Sequence, residues 1–132
     1  YLVPQPEAYD LLVAENMFGD ILSDLAAGLV GGLGMAPSAD IGTDAAVFQP
    51  VHGTAPDIAG KGIANPVGTI LSAAMMWRWL GHRHTDADAL AAGERIEAAV
   101  RIVMAEKGAT TPDLGGKMTT HELGSAIADA CN

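Results

Sequence analysis

The chain has 132 residues, 49% of them apolar, enough for one modest domain or for part of a larger one with a buried core. A formal net charge of −9, with seven scattered Lys and Arg, argues against DNA or RNA as a partner, because a phosphate backbone calls for a basic surface. No run approaches the about 18 uninterrupted apolar residues of a membrane span, and the single cysteine, Cys131, excludes an internal disulfide and fits a reducing cytoplasm.

The chain opens Tyr1-Leu2-Val3-Pro4 without an initiator Met or a signal peptide and reads as starting mid-protein. Residues Asp10 to Glu15 (DLLVAE) predict a short buried strand. Phe18, Ile21, Leu22, Leu25 and Leu29 then recur at helical spacing. Gly28 to Gly34 should end that helix, since glycine suits a helix C-terminus. Met35 to Ile63, with three prolines, reads as a strand-and-loop region. Asn65-Pro66 starts the next helix, with Pro at its first position, and Gly81 is expected to close it. His82, Arg83 and His84 then fall in a turn between helices, where the two histidines read as exposed polar residues or, alternatively, a metal pair. Thr85 is expected to cap a third helix, with Asp86 and Asp88 in its first turn, an inward stripe of Ala89, Ala92, Ile96, Ala99 and Val103, and its end at Lys107-Gly108. Thr110 to Lys117 predicts a loop with one short extended stretch. Thr119 and Glu122 form a capping box for a last helix running to about Cys131.

Two features could carry chemistry. Asp20 and Asp24 stand at i and i+4, so both point from one helix face. Two like charges there cost an isolated helix about 0.2–0.5 kcal/mol. A hard divalent cation would reverse that repulsion, and a solvated face near the helix N-terminus would tolerate it. The second feature is the glycine-rich loop Pro50 to Gly62 (PVHGTAPDIAGKG). It is neither a P-loop nor a GxGxxG fingerprint. It offers backbone amides, an imidazole and a carboxylate close together, which suits either a nucleotide or a purely structural loop. His121 reads as solvated, Met75-Met76-Trp77 as core or subunit interface, and Cys131 has no nearby His to activate it.

Taken together, several long segments resemble the β-decarboxylating dehydrogenases, the family of isopropylmalate, isocitrate, homoisocitrate and tartrate dehydrogenases. Glu15 to Asp24 (ENMFGDILSD) resembles that family's metal-binding signature. Gly32 to Ala39 (GLGMAPSA), Pro50 to Pro66 (PVHGTAPDIAGKGIANP), Thr69 to Met76 (TILSAAMM) and Thr111 to Gly116 (TPDLGG) continue the match in order. The resemblance implies an α/β, isopropylmalate-dehydrogenase-like two-domain fold with a mixed sheet, not a Rossmann fold. This chain would be its C-terminal part, with residues 1–38 ending the substrate and dimerisation domain and 39–132 in the cofactor domain.

By the same resemblance, Asp20 and Asp24 bind Mg²⁺ or Mn²⁺. His52, Gly53, Thr54 and Ala55 lie along the adenosine half of NAD, Asp57 accepts from the ribose hydroxyls, and Asn65 bonds the adenine. NADP-preferring members similar to the isocitrate enzyme have Lys-Tyr where this chain has Asp57-Ile58, so NAD is expected. The implied reaction is oxidation of a small anionic 2-hydroxy acid of the malate type, with hydride passing to NAD and a metal-assisted loss of CO₂. 3-Isopropylmalate is slightly favoured over tartrate, homoisocitrate and isocitrate. The family's acid/base Tyr and Lys, its substrate arginines and a partner-donated Asp lie upstream of the matched region, so catalytic residues are expected before Tyr1. A cytoplasmic homodimer or higher homo-oligomer is implied. Gln49 departs from the Glu that many members carry there. The competing readings are a non-catalytic regulatory or structural subunit, or a truncated NAD-binding fragment of the same fold.

Overall fold

A computed structural model describes residues 2–106 and 108–132. Among the described residues, four α-helices and one hairpin make up the longer regular structure: α1 (Asn16–Leu29), β1 (Pro37–Ile41), β2 (Ala46–Pro50), α2 (Val67–His84), α3 (Ala87–Ala105) and α4 (Thr120–Ala130). Short 3₁₀ turns at Leu33–Met35, Pro56–Ile58 and Pro112–Leu114 punctuate the loops, the last of them where an extended stretch was expected. Among the described residues the sheet is one antiparallel pair, with Ser38 opposite Gln49, Ala39 opposite Phe48 and Asp40 opposite Val47. No parallel strand–helix–strand unit occurs there, which agrees with the missing dinucleotide fingerprint.

The core lies where α2, α3 and α4 meet. Val67, Ala99, Val100, Val103, Leu123 and Ile127 form one buried cluster, with Met35, Met104 and Met118 packed against it. Asn65 and Pro66 begin α2 as expected. Pro66 has helical dihedrals, and the Asn65 Oδ1 accepts from the Val67 N–H at 3.0 Å.

The structure corrects several expectations. Asp10 to Glu15 is irregular and exposed, with Leu11 80% and Val13 91% accessible. A strand needs a hydrogen-bonded neighbour, and none of the described residues supplies one. The apolar face of α1 is likewise open: Phe18, Ile21, Leu25 and Leu29 are exposed, and only Ala27 is buried. Gly81 does not close α2, which runs three residues further, so His82, Arg83 and His84 form its last turn and not an inter-helix turn. Thr85 is the left-handed residue that ends α2, at φ 55°. Asp86 caps α3 instead, its carboxylate accepting from the N–H groups of Asp88 and Ala89. The buried stripe of α3 is Ala89, Gly93, Ala99, Val100 and Val103, so Ala92 and Ile96 are only half-buried. The helix stops at Ala105 with Glu106 as its cap. Lys107, expected near that end, lies outside the described residues.

The capping box of α4 forms as read from Thr119 and Glu122. The Thr119 N–H and hydroxyl both donate to the Glu122 carboxylate, at 2.8 and 2.9 Å, and the Glu122 N–H donates back to Thr119 Oγ1. The backbone N–H of Thr119, then its hydroxyl, and to a lesser degree the charge of His121 hold the Glu122 carboxyl below its ordinary value of 4.5. A depressed carboxyl stabilises the fold above its unfolded value, and that contribution fades as pH falls through the folded value. Thermal midpoints recorded from neutral pH down past 4.5 should therefore fall less steeply for Glu122→Gln than for the parent chain. Parallel curves would show that the cap is not titrating.

Candidate metal and cofactor site

Helix α1 carries Asp20 and Asp24 one turn apart, both exposed. Neither carboxylate has a cationic partner among the described residues, where the ion pairs join Glu97 to Arg78 and Arg101. The like-charge pair is thus uncompensated within the chain. Asp20 and Asp24 form one wall of a cavity of about 570 Å³. The facing wall is the hairpin, through Ser38 and Asp40 of β1 and Gln49 of β2. The cavity continues to His52 and Gly53 at the start of the glycine-rich loop.

This arrangement brings two sequence features separated by about thirty residues into one polar cleft. Three carboxylates and no Lys or Arg line it, so its field attracts cations and repels a bare anionic substrate. Oxygen donors of this kind suit Mg²⁺ or Mn²⁺. Two aspartates alone do not complete a Mg²⁺ shell of about six oxygens. Among the described residues no group of three or more His, Cys, Asp or Glu is placed to hold a metal ion. Asp20 and Asp24 therefore fit a hard cation as partial donors, with further oxygens required from elsewhere.

His52 is half-buried, and its Nδ1 lies 2.9 Å from the Gly53 carbonyl. A carbonyl only accepts, so Nδ1 is the donor in this contact. The loop then turns sharply at Ala55, which is left-handed at φ 44°, into the Pro56–Ile58 turn bearing Asp57. Asp57 is exposed, and neither it nor Thr54 or Ala55 lines the cavity. Asn65 also stands apart and is 8% exposed. Its Oδ1 caps α2, and its Nδ2 donates to Asp113 Oδ2 at 3.0 Å and approaches Met35 Sδ at 3.5 Å. Asp113 in turn accepts from the buried Thr111 hydroxyl. Both ends of the Asn65 amide are thus engaged within the protein.

Sequence reasoning missed Ser38 and Asp40 as lining residues and Asp113 as the partner of Asn65. The polar positions two apart in β1 were the available signal, but a strand pattern does not say what it faces. His82 and His84 are exposed at the far end of α2 and do not line the cavity. Cys131 is half-buried against the core cluster.

Comparison with known proteins identifies the family. A profile described as isocitrate/isopropylmalate dehydrogenase matches residues 1–127. The isocitrate/homoisocitrate dehydrogenase of Thermus thermophilus is 57% identical over 98% of this chain and 36% of its own length. The 3-isopropylmalate/3-methylmalate dehydrogenase of Methanocaldococcus jannaschii is 52% identical over 97% of this chain and 36% of its own. The crystal structure of isocitrate dehydrogenase from Methylococcus capsulatus superposes with a TM-score of 0.88 at 50% identity, covering 98% of this chain and 37% of that one. The chain thus spans about a third of the length of the relatives it matches.

Proposed function

The chain belongs to the isocitrate/isopropylmalate dehydrogenase family and shares its α/β fold, and from that premise we propose that it forms one side of the active site of an NAD-dependent oxidative decarboxylase acting on a malate-type 2-hydroxy acid. The observation that carries this reading is the cavity where Asp20 and Asp24 face the hairpin and the His52-Gly53 loop start. Relatives named for isocitrate, homoisocitrate and 3-isopropylmalate are similarly close. The substrate class is therefore the proposal, with 3-isopropylmalate one member of it.

In this reading Asp20 and Asp24 hold Mg²⁺ or Mn²⁺, which supplies Lewis-acid polarisation at the substrate's hydroxyl and carboxylate. Holding the cation also resolves the electrostatics of the cleft, since a cation between aspartates and an anionic substrate turns repulsion into attraction. His52, Gly53, Thr54 and Ala55 lie along the adenosine half of NAD. Asn65 borders the adenine, its side chain already committed to the α2 cap and Asp113. Asp57, exposed on its turn, accepts from the ribose hydroxyls and repels a 2′-phosphate. Bound NAD would supply the hydride acceptor for the oxidation, while a general base would take the substrate's hydroxyl proton and a general acid would return a proton to the carbon that loses CO₂. Base, acid and substrate-binding cations come from outside this chain. Residues 1–38 belong with a substrate and dimerisation unit and 39–132 with the cofactor unit. The working protein is a cytoplasmic homo-oligomer, and among the described residues no helix is long and apolar enough to cross a membrane.

The test is turnover by the protein that carries this chain. With Mn²⁺ and NAD, one of the four candidate acids should yield NADH and CO₂ in equal amounts, and chelation should stop both. No NADH with any of them overturns the reading. Within it, Asp57→Ala should weaken NAD binding by about 3–10-fold, the worth of a hydrogen bond or two, and leave NADP binding unchanged or tighter. A titration giving the same NAD affinity before and after the change would remove Asp57 from the site.

A further inference from the structure

A two-stranded ribbon is marginal on its own in water and must be held by something else. This hairpin is held on α2, at both ends and by different means. At its open end, the Ser72 hydroxyl of α2 lies 2.8 Å from the Gln49 carbonyl and shares its one proton between it and the Gly68 carbonyl of its own helix, also at 2.8 Å. At its closed end, Arg83 Nη1 donates to the Thr43 carbonyl at 2.7 Å. The Arg83 guanidinium also lies 5.1 Å above the Trp79 ring. Trp79, one helical turn earlier, packs on Phe48 of β2 with centroids 5.9 Å apart. Thr43, Arg83, Trp79 and Phe48 thus form one continuous stack from the hairpin tip to its middle.

The strand register gives this stack a second consequence. Residues opposite each other in an antiparallel pair share a face, and neighbours along a strand face opposite ways. Ala39 and Phe48 are one pair, and Phe48 faces α2. The flanking pairs, Ser38 with Gln49 and Asp40 with Val47, turn to the other side. Ser38, Asp40 and Gln49 line the cavity opposite Asp20 and Asp24. Pressing the Phe48 face onto α2 therefore sets where the cavity wall stands. The His52 loop follows β2 directly and inherits that position.

We propose that Arg83 is a positioning residue: it latches the hairpin to the end of α2 and so holds the second wall of the cation and cofactor cavity. The proposal rests on the reading of that cavity given above. Arginine suits the task because its planar guanidinium stacks flat on an indole while its N–H groups donate in the plane. Lysine can donate but cannot hold both contacts in that geometry.

Hydrogen exchange and Mn²⁺ titration of the same proteins test it. In Arg83→Ala, amides of residues 38–49 should exchange about tenfold faster, with α3 and α4 unchanged. Half-saturating Mn²⁺ and the KM for NAD should rise several-fold while kcat stays within about twofold, the pattern of lost positioning without lost chemistry. Arg83→Lys should fall between the two. Unchanged exchange in the hairpin overturns the latch, whatever the activity. Faster exchange with unaltered Mn²⁺ and NAD affinity overturns its positioning role and leaves a stability contact. A parent protein that binds no Mn²⁺ overturns the cavity reading itself, and is told apart because the exchange comparison is still read.

Discussion

Asp24→Asn is expected to lower Mn²⁺ affinity by at least about 100-fold in the protein that carries this chain, the upper end of what loss of a mere supporting partner costs. Asn keeps one oxygen of nearly the same shape but removes the charge that makes the oxygen a good ligand. The same change should not harm the fold. Asp20 and Asp24 repel each other across one turn without a cationic partner among the described residues. With the metal removed by chelation, Asp24→Asn should therefore leave stability unchanged or raise it by about 0.2–0.5 kcal/mol. Calorimetric titration and thermal melts in chelator read the two effects separately. Intact Mn²⁺ affinity would take Asp24 out of the site. Weaker binding together with lost stability would mark the residue as structural.

The second large effect is on packing. Gly81→Ala is expected to destabilise the protein by about 1–3 kcal/mol, the cost of overpacking. A Cβ at Gly81 would stand 2.6 Å from Leu90 Cγ and 2.8 Å from the Leu90 backbone nitrogen. The side chain could rotate away, but the backbone of α3 could not. Alanine is otherwise favoured over glycine inside a helix by about 1 kcal/mol, so this strain has to outweigh a real gain. Gly124 of α4 is the natural control, since a Cβ there meets nothing within 4 Å. Gly124→Ala should be stabilising by about 0.5–1 kcal/mol. Denaturant melts giving the same sign for both would refute the close crossing of α2 on α3.

The fate of Gly81 illustrates which features were legible. Glycine after an apolar run is a fair sign of a helix end, because local rules favour it there. What keeps α2 going is α3 lying against the missing side chain, a contact that no local rule contains. Thr85 and Asp86 differ for the same reason. Either could cap a helix, but once α2 runs to His84, Thr85 is needed to end it and Asp86 becomes the first free acceptor. The segment Asp10 to Glu15 has the composition of a buried strand, yet pairing depends on a neighbour.

By itself, the sequence determined what depends on near neighbours along the chain. Helical spacing put Asp20 and Asp24 on one face, Asn65 at the head of α2, and Thr119 with Glu122 in a reciprocal cap, because each involves residues within about one turn. The ordered motifs determined the family. Only the tertiary structure decided what stands across from those residues: Asp40 and His52 beside the aspartates, Asp113 on Asn65, and Arg83 on the hairpin tip. Those pairings join elements far apart in the chain, and their distances follow from how the helices pack on the hairpin and on one another. The cleft that Asp20 and Asp24 line is thus a property of that packing, whereas their repulsion was visible in the spacing alone.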